Sequence, residues 1–324
     1  MNTSRWSPTT THDARVARAA LLRDIRAFFD ARGVLEVDTP LLSGATVTDV
    51  YLDPFETVFR FDESGKPKPF YLQTSPEYAM KRLLCAGSGP IYQLCKAFRH
   101  EGYGRWHNPE FTMLEWYRPG FDHRDLMNEI DALLQAVIDA PAARYQSYQQ
   151  AFSEHVGIDP LSADREQKVQ ALITHNINID NVSSLTDDDI LQLLFSLVVE
   201  PAIGQHAPCF IYGFPASQAA LARLNQDDPR TADRFELYYR GAELANGFYE
   251  LSDAQEQRRR FEQDNAARRD AGLPERAPDE HLLAALTQGM PDCAGVAMGV
   301  DRLLMIKTGA RHIRDVINFP VNRA

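Results

Sequence analysis

Leu21, Leu22, Ile25, Phe28 and Phe29 recur at intervals that place them on one side of a helix, so the pattern predicts a helix from about Asp13 to Arg32. Gly33 suits its stop, and an extended run, Val34–Leu42, follows with Thr39-Pro40 inside it. Thr74-Ser75-Pro76-Glu77 reads as a helix start, with Ser75 as the cap and Pro76 in the first helical position. Met80, Leu83 and Leu84 continue that helix to Gly87. Ile91–Glu101 and Glu110–Tyr117 read as strands joined by the glycine-bearing loop Gly102–Asn108, which makes an antiparallel hairpin with a long tip.

From about Phe121 to Glu200 the pattern turns mostly helical, with Ser147, Ser162 and Thr186 as expected caps. Asp187, Asp188 and Asp189 load acid onto a helix start, where the dipole favours it. Cys209–Pro215 returns to strand, and Phe235–Leu251 reads as strand, turn and strand around Gly241 and Gly247. Arg258–Arg269 predicts a charged, solvated helix, and Gly295–Gly299 leads into the apolar helix Leu303–Lys307. Residues 1–12 are expected as a loose arm, and residues 13–324 as a single α+β domain carrying a mainly helical insertion at about 121–200.

Composition changes this picture little. With 324 residues, 44% hydrophobic and 24% charged, the chain is long enough to bury a large core and is neither disordered nor of low complexity. A net charge of −11 argues against a general nucleic-acid binder. Cys85, Cys95, Cys209 and Cys293 are scattered and form no zinc pattern, as expected of reduced thiols. The N-terminal stretch lacks the apolar core of a secretory signal, and no run approaches the roughly 20 apolar residues of a membrane span, so the expected location is the cytoplasm.

The candidate chemistry begins on the hairpin. Arg99 and Glu101 share one strand face, and Phe111, Met113, Glu115 and Tyr117 share another. If the two faces coincide, one surface carries an Arg, two carboxylates, a ring and a phenol; an exposed hairpin with one wet face fits the same alternation. The tip, with Arg105, His107 and Asn108, suits a phosphate-bearing ligand, or is an ordinary loop. In Glu243–Glu250, the residues Asn246, Phe248 and Glu250 share strand alternation. Glu243 and Glu250 suit a hard cation or an ammonium group, against the default of a solvated edge. Gly295–Gly299 lets a strand backbone approach a ligand closely, with Arg302 at the following helix start; the competing reading is a tight turn with a surface Arg.

Taken together, these segments resemble the class II aminoacyl-tRNA synthetases. Arg32–Leu42 resembles their motif 1, Phe98-Arg99-His100-Glu101 through His107-Asn108-Pro109-Glu110-Phe111 resembles motif 2, and Gly295–Arg302 resembles motif 3. Within that family, Thr74–Glu77, His107–Tyr117, Glu243–Leu251 and Ile313–Pro320 resemble the lysine-specific branch, and the likeness runs from about residue 13 to 320. Motif 1 begins near residue 32, which leaves no room for an anticodon-binding OB domain, so the resemblance is best to the truncated paralogues of lysyl-tRNA synthetase. Ala297, where glycine is usual in the lysyl enzymes, agrees.

That resemblance implies an α+β class II catalytic core, a mostly antiparallel sheet flanked by helices. It also implies an AMP-forming ligase that activates (R)-β-lysine with ATP and magnesium and transfers it to a lysine of elongation factor P. A homodimer is implied; neither tRNA nor a membrane is an expected partner. By the same resemblance Arg99, Glu243 and Arg302 would be catalytic, and ATP would meet Arg99, His100, Glu101, His107, Asn108, Phe111, Glu243, Leu244, Gly299 and Arg302. Glu243 and Glu250 would hold the metal. Ser75, Pro76, Glu77, Glu115, Tyr117, Asn246, Phe248, Glu250 and Ala297 would form the amino-acid pocket. A short enzyme that charges another acceptor with lysine stands as the alternative; a non-catalytic paralogue would be expected to have lost Arg99, Glu101, Phe111, Glu243 or Arg302, and all are present.

Overall fold

The computed structural model describes residues 6–60 and 65–324. The chain opens with α1 (His12–Asp30), β1 (Leu35–Glu36), β2 (Leu42–Ser43), β3 (Glu56–Phe59), β4 (Lys68–Leu72), α2 (Glu77–Cys85), β5 (Ile91–Phe98) and β6 (Glu110–Pro119). The middle holds α3 (His123–Ile138), β7 (Arg144–Ser147), α4 (Tyr148–His155), α5 (Arg165–Thr174), α6 (Asp187–Leu194), β8 (Cys209–Pro215), β9 (Thr231–Tyr239) and β10 (Ala242–Tyr249). It closes with α7 (Ala254–Asp270), α8 (Glu280–Gln288), β11 (Cys293–Gly299) and α9 (Val300–Thr308). The fold is α+β, and the chain divides into two compact units: Met1–Gly120 with Ser252–Cys293 and Ala297–Ala324, and Phe121–Leu251 with Ala294–Val296. Among the described residues no helix is long and apolar enough to cross a membrane.

In the first unit β1 pairs parallel with β5, and β5 pairs antiparallel with β6. The α1 stripe lies on one face of that ladder. Phe29 stacks on Tyr92 at 4.5 Å and meets Trp116 edge-on at 5.3 Å, and Leu21, Ile25, Phe28 and Phe29 are all buried. Tyr92 and Trp116 are cross-strand partners, so α1 seals the even-numbered face and leaves the odd-numbered face for other work. Of the arm expected over 1–12, residues 1–5 lie outside the described residues. Thr9 is tied to the C-terminal segment through its hydroxyl and Ile317 O at 2.7 Å, and through its N–H and Asn318 O at 2.9 Å, so this part of the arm is not loose.

Further local expectations need correction. The helix α2 starts one residue later than expected: Pro76 stands at the cap position, and the Ser75 hydroxyl still accepts from Glu77 N at 3.1 Å. Ser147 and Thr186 do cap α4 and α6, whereas Ser162 turns to Asp159 and α5 is capped by Asp164. The winner there carries Gln167 three residues on, which returns a bond to the Asp164 N–H and closes a capping box that Ser162 cannot form. Nor is α7 solvated all round. Gln257, Phe261, Asn265 and Arg268 are buried at helical spacing, and Arg268 donates to Pro274 O and Asp49 O.

In the second unit β10, β9 and β8 form an antiparallel ladder, and β7 joins β8 in parallel. Arg240 and Gly241, both at positive φ, make the tight turn between β9 and β10. Gly247 is not part of a turn: it lies inside β10 opposite Phe235, and a Cβ there would meet the Phe235 ring at 2.3 Å. The helical insertion packs Tyr148, Phe152 and Phe195 against Phe214 of β8, and reaches β9 where Phe195 packs on Tyr238 at 5.6 Å.

Candidate functional site

The register of β5 with β6 decides the question that alternation left open. Ala97 faces Phe111, Gln93 faces Glu115 and Ile91 faces Tyr117, and Arg99 N continues the ladder to Pro109 O at 3.0 Å. Cross-strand partners share a face, so Arg99, Phe111, Glu115 and Tyr117 stand together on the side opposite α1. The Arg99 guanidinium lies 5.4 Å from the Phe111 ring centroid, and its Nε is shielded from solvent without a hydrogen-bond partner among the described residues. A stacked, planar cation with an unused donor suits an anion such as phosphate.

Glu115 is 2% exposed, and both of its oxygens accept hydrogen bonds, from Ser75 Oγ at 2.5 Å and from Tyr117 OH at 2.7 Å. The three side chains are therefore one unit. Burial, and then this carboxylate, push the neighbouring Cys95 thiol up to about 12, which removes it as a nucleophile. Glu77 carries an ion pair that the sequence did not announce: its Oε1 accepts from Lys81 Nζ at 2.6 Å, and the Lys81 side chain is 1% exposed. Pro76 is buried beside it.

The tip is held against the start of α9. Arg302 donates through Nε to Trp106 O at 3.2 Å and reaches His107 Nε2 at 2.9 Å; Glu101 lies 4.0 Å from the same imidazole nitrogen. Desolvation, and then the Arg302 charge, hold His107 below the ordinary imidazole range, so at neutral pH the ring is neutral and Nε2 accepts from Arg302. An NMR titration of the His107 ring protons is expected to give a midpoint below the free-imidazole value, moving upward in Arg302→Ala. A midpoint at or above the free value in the wild type would remove this contact, because an imidazolium cannot accept.

Two other tip residues are engaged by the fold. Asn108 donates to Glu110 O and accepts from Val321 N at 3.0 Å, and exposed His100 turns to Asp53 at 3.2 Å. Gly299 closes β11, with the Arg302 stem within 3.7 Å of where its Cβ would be, and Ala297 lies on the same, less buried side of the strand. Asp301 was missed. It is 2% exposed and accepts from Arg18 Nη1 at 2.5 Å and from Thr112 N at 2.6 Å, so it ties α1 and β6 to the start of α9. The only sequence signal was its place next to Arg302.

The second unit holds the remaining candidates on β10. Glu243 pairs with Tyr238 and Ala245 with Leu237, so Leu244 is the extra residue of a β-bulge, and it is buried. The bulge brings Glu243 to the face that Asn246 and Phe248 occupy opposite Glu236 and Arg234. Glu250, 1% exposed, continues that alternation just past the strand. Carboxylate oxygens of this kind fit a hard divalent cation. Phe248 packs on the small Ala219, Ala222 and Ala232 cluster. Glu236, which sequence reading passed over, is 7% exposed and takes donors from Arg234, from Tyr238 OH and, at 3.2 Å, from Asn246 Nδ2. Among the described residues no group of three or more His, Cys, Asp or Glu is arranged to hold a metal.

Comparison with known proteins places these residues in context. Residues 7–323 match the family model described as tRNA synthetases class II (D, K and N). The chain is 55% identical over 324 residues to the elongation factor P–(R)-β-lysine ligase of Salmonella arizonae, covering 99% of both chains. It is 56% identical to the ligase of that name from Edwardsiella ictaluri, over 98% of both chains, and 55% identical to that of Sodalis glossinidius, over 100% of this chain and 99% of the relative. A match over nearly every described element, motif strands and helices included, leaves one conclusion: the chain belongs to the class II tRNA synthetases of the D, K and N group.

Proposed function

We propose that this chain activates (R)-β-lysine with ATP as an adenylate and transfers the β-lysyl group to the ε-amino group of a lysine on elongation factor P. The names of its near full-length relatives support the reading. The observation that carries it is the odd-numbered hairpin face, where a stacked Arg99 lies on the same surface as buried Glu115 and Tyr117, with Ser75 bonded to Glu115. One surface thus offers a phosphate-binding fork and an ammonium-binding carboxylate.

In the first step a carboxylate oxygen of the amino acid attacks the α-phosphorus, a C(O)–O–P bond forms and pyrophosphate leaves. Catalysis by alignment and charge stabilisation is sufficient. Arg99 holds the α-phosphate, Phe111 lies beneath adenine with Arg302 across from it, and Glu101 accepts from the adenine amino group. His107, His100 and Asn108 order the tip, and Leu244 and Gly299 are assigned to ATP as well. Glu243 and Glu250 would hold magnesium, which when bound neutralises phosphate charge. Glu115, with Tyr117 and Ser75 bonded to it, receives one ammonium group; Glu77, Pro76 and Ala297 of the first unit, and Asn246, Phe248 and Glu250 of the second, are assigned to the amino acid as well. In the second step the neutral ε-amine attacks the adenylate carbonyl, the C–O bond to AMP breaks and the amine loses its proton.

Residues 13–324, with the mainly helical insertion at about 121–200, serve this one activity in the cytoplasm. The active species is a symmetric dimer joined through the 32–42 segment, where Leu35, Leu41 and Leu42 are 59%, 38% and 40% exposed. The test is ATP–pyrophosphate exchange across lysine isomers, with sedimentation of the active species, followed by transfer of label to elongation factor P or to tRNA. Exchange strongest with (R)-β-lysine, a dimer, and stoichiometric labelling of elongation factor P are expected. Label on tRNA would replace this reading with the charging enzyme, and no exchange with any isomer would end it.

A further inference from the structure

The tip between β5 and β6 carries two glycines, Gly102 and Gly104, yet a distant part of the chain grips it. Ile313 N donates to Arg105 O at 2.9 Å, Arg105 Nε donates to Arg311 O at 3.2 Å, and the rings of Tyr103 and His312 lie 5.5 Å apart. Where the tip returns to β6, Val321 N donates to Asn108 Oδ1 at 3.0 Å. The gripping segment, 311–321, is itself anchored. Ile313 and Val316 are buried, and Arg18 of α1 donates to Val316 O at 3.4 Å. Thr10 Oγ1 donates to Asn318 Oδ1 at 2.6 Å, beside the bond from Thr9 N to Asn318 O. The N-terminal arm thus holds the C-terminal segment, and the C-terminal segment holds the tip.

Asn108 is the point on which this grip bears. It is buried, and it stands between His107, which meets Arg302, and Pro109, whose carbonyl takes Arg99 N. Glu110 O can only accept and Val321 N can only donate, so together they fix which way the Asn108 amide faces. With both ends bonded inside the chain, this side chain sets the corner where the tip turns back into β6. Losing the Val321 N–H would leave a buried acceptor open and the corner held from one side.

We infer that segment 311–321 is a brace for the ATP-binding tip, with Val321 as its positioning residue: through Asn108, the Val321 N–H sets where the tip stands over the nucleotide. This rests on the proposed function, which assigns the tip to ATP, and adds to it what holds the tip in place. Val321→Pro isolates the contact. Arg323 N donates to Pro320 O at 2.7 Å, which makes Val321 the second residue of a turn, and its φ is not positive. Proline suits that place and lacks the N–H. The Val321 residue is 47% exposed, so Val321→Ala, which keeps the N–H, is the control.

The experiment is ATP–pyrophosphate exchange by the full-length chain, with ATP and (R)-β-lysine varied in turn. Val321→Pro is expected to raise KM for ATP about fivefold, as loss of one neutral hydrogen bond would, with KM for the amino acid unmoved. Val321→Ala should stay within about twofold of wild type for both substrates, as an exposed side chain allows. Asn108→Ala should raise KM for ATP at least as much as Val321→Pro, and adding Val321→Pro to it should raise it no further, since the two act through one bond. An unchanged KM for ATP in Val321→Pro, an equal rise in Val321→Ala, multiplying losses in the double variant, or a parallel rise in KM for the amino acid would overturn the assignment. Should Val321→Pro fail to fold, Thr10→Val decides. It keeps the shape of a buried residue and removes the hydroxyl that holds Asn318, so KM for ATP is expected to rise about threefold while KM for the amino acid stays; an unchanged KM for ATP would overturn the brace. A wild type that exchanges beside variants with unaltered KM strikes the brace alone; a wild type without exchange strikes the proposed function and this inference together.

Discussion

Arg99→Ala is expected to slow ATP–pyrophosphate exchange by at least about 10²–10³-fold, the usual cost of removing one donor aimed at charge that develops in the transition state. The fold should not notice. The Arg99 backbone bond to Pro109 survives the substitution, its Nε has no protein partner among the described residues, and the side chain contributes mainly a stacking contact with Phe111. Thermal unfolding of the variant should therefore coincide with wild type. Arg99→Lys should recover only part of the rate, because an ammonium is a point charge and cannot fork across two phosphate oxygens. Near-wild-type exchange by Arg99→Ala would take this residue out of the mechanism.

Asp301→Ala should do the reverse and damage stability first. Both carboxylate oxygens are buried and engaged, one by the Arg18 guanidinium at 2.5 Å and one by Thr112 N at 2.6 Å. Truncation leaves a half-buried guanidinium and a strand N–H without their acceptor, which costs about 3–5 kcal/mol for one broken buried pair. The loss falls on β6 at the residue after Phe111, so exchange should fall too, as a consequence of the displaced strand. Asp301→Asn keeps one acceptor and should lose less. Urea unfolding measures both; a loss below about 1 kcal/mol in the alanine variant would show that Arg18 and Thr112 find other partners.

These two residues mark where sequence reading succeeds and where it stops. Arg99 was legible in part because strand alternation is local: a period of two gives each hairpin residue a face, while the register that brings the two faces together comes from the structure. The caps at Ser147 and Thr186 were legible for the same reason, since a capping box is written within four residues. Asp301 was not, because its meaning lies in Arg18, 283 residues earlier. Glu236 was passed over, and only the pairing of β9 with β10 sets it against Asn246. Lys81 carries no signal in the sequence; its burial against Glu77 comes from packing, which alternation and spacing do not encode. Gly247 was misread as a turn because glycine in a strand has two meanings, and close approach of the Phe235 ring is the one realised.

The bulge at Leu244 has a further consequence. Glu243 and Glu250 are separated by an odd interval, and in an unbroken strand an odd interval means opposite directions. One uncounted residue shifts the phase of everything before it, so for side-chain direction the interval of seven behaves as an even one, and Glu243 joins the series that runs through Asn246 and Phe248 to Glu250. A more regular β10 would keep its ladder unbroken and lose that agreement. The strand's one irregularity thus sets which of its acids can act in concert, and a residue with no polar atoms in its side chain, Leu244, is the one that sets it.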